Sequence, residues 1–276
     1  MSHLVTFALN HTVAPRKTIP ELVALATDLG LEAIEIRNDL PGVPIEDGTP
    51  AAEVRRAAEA GGVRILAINA LQRFNDWSPA RAGEARALVT YARGCGAAAL
   101  VLCPVNDKSW QPSESERQAK LKEALRGLEP ILAGAGIMGL VEPLGFEACS
   151  LRFKQDTVEA IEELDLAERF QLVHDTFHHH LSGEARMFPE HTGLVHISGV
   201  EDASLPLSRL RDEHRVLVGA DDLSMTLLQI LGLMEDYSGP YSFEPFAASV
   251  HQAHDIAGAL EASMHWIDRE IAMLPA

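Results

Sequence analysis

Residues 172–184 read LVHDTFHHHLSGE: an apolar run ends in a lone aspartate, and three consecutive histidines follow. A short apolar run of this kind, bounded by polar residues, is typical of a strand that is buried on both faces. Similar runs, many rich in β-branched residues, recur along the whole chain. They cover residues 4–10, 33–39, 63–71, 98–104, 138–144, 171–176, 194–200 and 241–246. The sequence therefore predicts eight strands.

The segments between these runs show the apolar spacing of three and four residues that marks an amphipathic helix. The predicted helices cover residues 19–29, 51–60, 80–92, 114–133, 157–164 and 223–234. Thr18 and Ser113 precede two of these helices as N-caps, and Glu116 completes a capping box with Ser113. Four glycines near helix ends are expected to adopt a left-handed backbone: Gly30, Gly61, Gly94 and Gly136.

Strand and helix alternate eight times over about 250 residues. Both the alternation and the length are typical of a (β/α)₈ TIM barrel. An open, doubly wound sheet is the alternative. Such sheets usually have fewer strands, and no G-x-G-x-x-G follows the first strand here. Because no linker rich in Pro, Gly or Ser divides the chain, we predict that residues 1–276 form one TIM-barrel domain of the α/β class.

Composition narrows the classes of function. The net charge of −17 argues against nucleic acid and anionic membranes as partners, since both require a basic surface. No apolar run of about 20 residues is present, and the N-terminal residues MSHLVTFALN lack the charged head and long apolar stretch of a signal peptide. The three cysteines are sparse. Buried, reduced thiols are expected, which suggests a cytoplasmic protein.

Polar residues at the carboxyl ends of barrel strands are the candidates for chemistry. Glu142, Asp175, His196 and Glu244 end the last four predicted strands, each within an apolar run. Since strand side chains alternate between faces, all four can point into the barrel mouth. Each alone has an ordinary explanation: Asp175, for example, could cap the helix that follows. Other polar residues at strand ends are Asn10, His11, Asn69, Asn106 and Asp107.

Three carboxylates cannot remain ionised together in an apolar pocket without a cation. One divalent metal ion resolves this conflict. A ligand set rich in oxygen with a single histidine favours Mn²⁺, with Mg²⁺, Co²⁺ and Zn²⁺ as alternatives.

Several motifs resemble those of the xylose-isomerase-like barrels, the superfamily of sugar isomerases and epimerases. The motifs are VEPLGF at 141–146, HDTFHHHLSG at 174–183, VHISG at 195–199, DEHRVLVG at 212–219 and FEPF at 243–246. Within the superfamily they are most similar to the inosose isomerase branch, which acts on 2-keto-myo-inositol. One motif departs from that branch, because its usual Gly-x-Gly reads Gly219-Ala220-Asp221 here.

The resemblance implies roles for particular residues. It places the metal ligands on the same four residues, and it gives His178 and Arg215 contacts with the substrate. Strand alternation turns His174 toward the helix layer. His180 is interpreted as a residue that supports the ligands, and His179 as a solvated residue.

The chemistry implied is proton transfer between neighbouring carbons of a ketose through a metal-stabilised enediolate, with Glu142 and Glu244 as acid and base. Trp77 and Trp110, like Phe74, follow the third and fourth strands and would stack on a sugar, or else cover the barrel end or a subunit interface. No glycine-rich phosphate loop is evident, so the predicted substrate is an unphosphorylated polyol, keto-sugar or keto-inositol. The superfamily often forms homo-oligomers.

Other activities remain open on sequence alone. A ketose 3-epimerase or a hydroxypyruvate isomerase would use the same ligands. A dehydratase acting on an inosose or on dehydroshikimate would use the metal and a base to expel water. A metal-dependent phosphodiesterase would need more histidine ligands and a basic surface, and a barrel that only binds sugar would not need a carboxylate-rich metal site.

Overall fold

The computed structural model describes residues 3–40 and 48–273. Eight parallel strands pair in chain order, and β8 closes the barrel against β1 with Phe7 opposite Tyr241. The strands are β1 Phe7–Asn10, β2 Ala33–Arg37, β3 Arg64–Gln72, β4 Ala99–Cys103, β5 Met138–Val141, β6 Phe170–Asp175, β7 Thr192–Ile197 and β8 Tyr241–Phe243. The prediction of a single (β/α)₈ TIM barrel is confirmed.

Helices follow the strands and surround the barrel. They are α1 Ile19–Asp28, α2 Ala51–Gly61, α3 Pro79–Cys95, α4 Glu114–Ala133, α5 Lys154–Glu163, α6 Thr176–Ser182, α7 Thr226–Leu233, α8 Ala248–His251 and α9 Ile256–Ala272. Short 3₁₀ segments at Leu207–Arg209 and Asp212–His214 lie in the loop after β7. The sequence patterns did not predict α6, α8 or α9.

Six of the eight strands end one to three residues earlier than the sequence indicates, and β5 and β8 are among them. β5 ends at Val141 and β8 at Phe243, so Glu142 and Glu244 lie one residue beyond their strands. Their backbone N–H groups still donate to the neighbouring strands, to the carbonyl of Leu102 at 3.1 Å and to that of Ile197 at 2.9 Å. Both residues therefore remain fixed to the barrel rim.

A small apolar cluster fills the barrel interior beneath that rim. It consists of Ala67, Ala70, Ala99, Val101, Cys103, Leu140, Val173 and Leu194. Leu140, Val173 and Leu194 lie two residues before the predicted ligands on β5, β6 and β7. The alternation that predicted inward-facing ligands is thus confirmed.

A larger core lies between the strands and the helices. Capping boxes fix where two of the helices begin. Ser113 and Glu116 form the predicted capping box at α4, in which the Ser113 N–H donates to Glu116 Oε2 at 2.7 Å. Thr18 and Glu21 form an equivalent box at α1.

Two of the four glycine predictions are wrong. Gly30 and Gly136 have positive φ as expected, but the left-handed residues after α2 and α3 are Gly62 (φ 65°) and Gly96 (φ 84°). Both helices run further than their apolar pattern indicates, so Gly61 and Gly94 lie within the last turn. Gly94 has a packing role, since a Cβ there would lie 2.8 Å from the Cβ of Ala51.

The cysteine prediction is confirmed: Cys95, Cys103 and Cys149 are free and buried. Among the helices of residues 3–40 and 48–273, none combines the length and apolar character needed to cross a bilayer.

Candidate metal centre

Four side chains meet where β5 to β8 end. Glu142, Asp175, His196 and Glu244 each offer one ligand atom, and these atoms lie within 4.8 Å of one another. His196 Nδ1 is 3.0 Å from Glu142 Oε1, 3.2 Å from Glu244 Oε2 and 3.8 Å from Asp175 Oδ2. The four residues singled out by strand position are therefore brought together.

The chemistry of this donor set fits a divalent cation. All four residues are buried, with exposures of at most 4%. Three carboxylates and one imidazole in so small a volume are a typical set for a metal of the Mn²⁺, Mg²⁺ or Zn²⁺ type. Burial, reinforced by the neighbouring carboxylates, raises the pKa of Asp175 to about 6 although Arg215 acts against it. The environment therefore strongly opposes an uncompensated carboxylate.

Asp175 uses its two oxygens differently. Oδ1 accepts from the backbone N–H of His178 at 2.9 Å and so caps the N-terminus of α6. Oδ2 accepts from Arg215 Nη2 at 2.5 Å and faces His196. The capping explanation and the ligand explanation for Asp175 are thus both compatible with the structure.

A fourth carboxylate, that of Glu35, contacts the other ring nitrogen of His196. His196 Nε2 lies 3.1 Å from Glu35 Oε2, and Asn69 Nδ2 donates to the same oxygen at 2.6 Å. Burial acts to lower the pKa of His196, but Glu244, Glu35 and Glu142 outweigh it and the pKa is raised well above its usual value. A carboxylate on the outer nitrogen directs Nδ1 toward the other three carboxylates, as is common for metal-binding histidines.

Two buried guanidinium groups grip Glu244 from opposite sides. Arg37 Nη1 donates to Oε1 at 2.6 Å, and Arg215 Nη2 donates to Oε2 at 2.8 Å. Arg37 also makes two 2.8 Å bonds to the carboxylate of Asp39. Burial would raise the pKa of Glu244, but His196, Arg215 and Arg37 hold it well below its usual value. Glu244 is therefore firmly ionised.

Glu142 is less constrained. Its Oε1 faces His196, whereas Oε2 accepts only a weak bond from the thiol of Cys103, at 3.3 Å. Burial and the nearby Glu142 raise the pKa of Cys103 well above its usual value, so this thiol is a neutral donor. Glu142 thus has one oxygen that can reach a molecule in the cavity.

A cavity of about 450 Å³ opens above these groups. His178 lines it, with the ring edge-on to Phe146 at 5.0 Å and with no hydrogen-bond partner for Nδ1. Burial lowers the pKa of His178 to about 4, so the imidazole is neutral near pH 7. Other charged or polar residues of the wall are Arg37, Asp39, Gln72, Arg73, Asn106, Glu142, Asp212, Arg215 and Glu244. The structure therefore places both His178 and Arg215 beside the predicted ligands.

The three aromatic residues that the sequence suggested as substrate contacts lie elsewhere. Phe74 is fully buried in the core. Trp77 packs on α4, so tightly that a Cβ on Gly127 would approach its ring to 2.4 Å. Trp110 lines a separate surface pocket and lies under Lys120. None of the three lines the cavity described above, and substrate contact by Trp77 or Trp110 stays a prediction.

The three consecutive histidines and the nearby His174 occupy different environments. His174 turns to the helix layer as predicted, with Nε2 2.9 Å from Gln229 Oε1 on α7. The expectation of a solvated His179 is wrong: Nδ1 lies 2.6 Å from Lys154 Nζ and the ring packs against His174. Burial lowers the pKa of His180, with Asp222 acting against it. No contact joins His180 to the four ligand residues in the described part of the chain.

The segment after Gly219 is organised by a carboxylate. Asp222 accepts from the backbone N–H groups of Val200 at 2.9 Å, Ser224 at 2.8 Å and Thr226 at 2.9 Å. These bonds organise the segment in which the sequence departs from the usual Gly-x-Gly of the family that it resembles. The loop is therefore held to β7 and to the start of α7.

Sequence reasoning missed Glu35, Arg37 and Cys103. Glu35 and Arg37 alternate with isoleucines in β2, which reads AIEIR and is buried throughout. Two charged residues at alternate positions of a buried strand must point to one face and require partners there. That signal was available in the sequence. Cys103 carries no comparable signal, because a cysteine in an apolar strand is most often a core residue.

Comparison with known proteins agrees with this geometry. A family profile described as the xylose isomerase-like TIM barrel matches residues 23–270. Among solved structures, a xylose isomerase domain containing protein from Salmonella typhimurium LT2 is 34% identical, with 99% of each chain covered and a TM-score of 0.85. No protein of curated function matches the chain in sequence.

Two more distant structures share the fold. The IolI protein with a binding zinc atom is 20% identical, with a TM-score of 0.84 over 98% of this chain and 100% of the other. A D-psicose 3-epimerase from Clostridium cellulolyticum H10 is 12% identical, with a TM-score of 0.70 over 97% and 99% of the two chains. Because the profile spans most of the sequence and a 34% identical relative aligns over nearly its full length, this chain belongs to the xylose isomerase-like TIM barrel family.

Proposed function

We propose that the protein is a metal-dependent isomerase that moves a proton between neighbouring carbons of an unphosphorylated keto-sugar or keto-inositol, such as 2-keto-myo-inositol. The observation that carries the proposal is the convergence of ligand atoms from Glu142, Asp175, His196 and Glu244 within 4.8 Å of one another, beside an open cavity that Glu142 and Glu244 line. A site that only bound sugar would not require three buried carboxylates at one point.

The names of two relatives support the metal and the substrate class. IolI was solved with a zinc atom, and D-psicose 3-epimerase was solved with the ketose D-tagatose. These names favour a divalent ion and a ketose-like substrate for this chain. Among the ions, we propose Mn²⁺ because the donor set is dominated by oxygen.

A divalent ion held by the four residues would polarise the substrate carbonyl and stabilise negative charge that develops on its oxygen. Glu142 and Glu244 are the proposed acid and base. Glu142 lines the cavity and its Oε2 accepts only from a thiol, which suits it to removing a proton from carbon. Both oxygens of Glu244 accept hydrogen bonds from guanidinium groups. Glu244 can therefore transfer a proton only after the substrate displaces one of these two groups.

His178 and Arg215 are the proposed substrate-binding groups. A neutral His178 can donate from one ring nitrogen and accept at the other, which suits a hydroxyl group. Arg215 donates through Nε to Ser198 at 3.0 Å and through Nη2 to two carboxylates, which fixes its plane at the cavity wall. A fixed fork of N–H donors suits a hydroxyl or an oxyanion of the substrate.

Proton exchange with solvent tests this function. NMR of manganese-loaded protein in deuterated buffer, with a panel of inososes and ketoses, should show deuterium entering next to the carbonyl of the substrate. Glu142→Gln and Glu244→Gln should abolish the exchange, whereas Glu123→Gln, on the exposed face of α4, should leave it unchanged. Retained exchange in both site variants would contradict their assignment as acid and base. A product with new ultraviolet absorbance would show loss of water and would contradict an isomerase.

A further inference from the structure

A second cavity adjoins the one above the candidate metal centre. This side cavity has a volume of about 250 Å³ and shares Asn106, Phe146 and Asp212 with the larger cavity. Its wall comes from the loops after β4, β5 and β7. A substrate whose reacting carbons lie at the metal centre can therefore extend into it, and the two volumes together suit a small molecule.

Three cations from three different loops face the side cavity. Lys108 follows β4, Arg152 lies between β5 and α5, and Arg211 lies in the loop after β7. Within residues 3–40 and 48–273, no carboxylate lies within ion-pair distance of any of the three. Like charges brought together by separate loops repel one another, so their convergence favours an anionic occupant.

Backbone carbonyls hold the two guanidinium groups in place without neutralising them. Arg152 donates to the carbonyls of Gly145 and Leu181, each at 2.9 Å. Arg211 Nη1 donates to the carbonyls of Ser208 at 3.0 Å and Leu210 at 2.5 Å. The remaining N–H donors of both side chains are available to a ligand.

The acidic residues of the side cavity do not balance these cations. Asp212 faces Arg215, with Oδ1 3.4 Å from Nη1. Glu147 is the other carboxylate of the wall, and it is exposed. The wall of the side cavity thus carries three cations and only one carboxylate, that of Glu147, that is not paired with an arginine. This local excess of positive charge contrasts with the net charge of −17 of the whole chain.

We infer that the side cavity binds an anionic group of the substrate, so that the substrate is a keto-sugar carrying an acid at the end remote from its carbonyl. This inference rests on the proposed function and narrows its substrate class. Arginine forks match the paired oxygens of a carboxylate, and a phosphate ester offers similar oxygens. A carboxylate agrees with the unphosphorylated substrate proposed above.

Three six-carbon 2-ketoses that differ only at carbon 6 separate these chemistries: D-fructose, D-fructuronate and D-fructose 6-phosphate. Their dissociation constants are measured by calorimetry on the full-length, manganese-loaded protein. We expect D-fructuronate to bind at least about fivefold more tightly than D-fructose, with a difference that shrinks at high salt. Tighter binding of the phosphate than of the carboxylate would support the anion site and identify phosphate as its ligand.

Variants of the loops sharpen the test. Arg211→Gln and Lys108→Gln should each weaken D-fructuronate binding about threefold to fivefold. Glu147→Gln should strengthen it, because a repelling carboxylate is removed. Arg209→Gln is the matched control: Arg209 is exposed in the same loop as Arg211 but does not line the side cavity.

Equal binding of the neutral and acidic ketoses, or an equal effect of Arg209→Gln and Arg211→Gln, would overturn the inference. The outcome is separable from that of the proposed function. Deuterium exchange with neutral substrates but no preference for acids would overturn only the inference. A preference for acids without exchange on any substrate would overturn only the proposed reaction.

Discussion

His196 presents its two ring nitrogens to different partners. Nδ1 faces the three carboxylates of the candidate centre, and Nε2 lies 3.1 Å from Glu35. Because such a carboxylate fixes the orientation of a metal-binding histidine, we expect Glu35→Gln to lower metal affinity about 10- to 100-fold. Competition with a chelator measures the affinity. The control is Glu32→Gln, at an exposed position just before β2. Unchanged affinity in the Glu35 variant would contradict the role of this carboxylate.

Arg37 links two carboxylates inside the barrel rim. It donates to Glu244 and Asp39 from a side chain that is only 7% exposed. Replacing it by glutamine removes one of the two guanidinium groups that bind the buried carboxylate of Glu244, so Arg37→Gln should lower the free energy of unfolding by about 3–5 kcal/mol. Urea denaturation measures this loss.

The control for Arg37 is a surface ion pair of the same residue types. Arg56 and Glu53 lie 3.9 Å apart with side chains 68% and 56% exposed. Arg56→Gln should therefore change the free energy of unfolding by less than about 1 kcal/mol. A loss as small as this in the Arg37 variant would show that the buried pair is not strongly coupled to folding.

At the scale of single elements, α3 offers two glycines with opposite expected effects. Gly83 lies in the helix interior, and a Cβ added there would meet no other atom within 4 Å, so Gly83→Ala should stabilise the protein by about 0.5–1 kcal/mol. Gly96 ends the helix with φ 84°, so Gly96→Ala should destabilise it by about 1–2 kcal/mol. Thermal unfolding of both variants measures the two signs. The same sign for both would contradict the assigned helix end.

The elements also show what the sequence could predict. Strand positions and the candidate ligands follow from local alternation, because Glu142, Asp175 and His196 each lie two residues after an inward apolar residue. The position of Trp77 does not follow, because it depends on Gly127, some 50 residues away, leaving room on α4. Glu35 likewise contacts His196, 161 residues along the chain, and Arg37 contacts Glu244, 207 residues along the chain. Only the closed fold brings these residues together.

Across the whole molecule, each strand, or the residue directly after it, contributes a side chain to one connected network at the rim. The contributors in strand order are Asn10, Glu35 with Arg37, Asn69, Cys103, Glu142, Asp175, His196 and Glu244. Asn10 joins β1 to this network by donating to Glu244 Oε1 at 3.2 Å. A ligand that orders the four metal-binding side chains therefore acts on the closed barrel as a unit.

This connection predicts that metal binding and global stability are linked. An ion that binds the folded barrel and not the unfolded chain adds about 2.7 kcal/mol at a concentration 100-fold above its dissociation constant. For a chain of this size, that corresponds to a rise in Tm of roughly 5–10 °C when manganese is added to chelator-treated protein. Glu244→Gln should show a much smaller rise, since one ligand and its charge are lost, while Glu123→Gln should behave as the unmodified protein. An equal rise in all three proteins would mean that manganese acts elsewhere on the chain, and the rim network would then be held by its arginines alone.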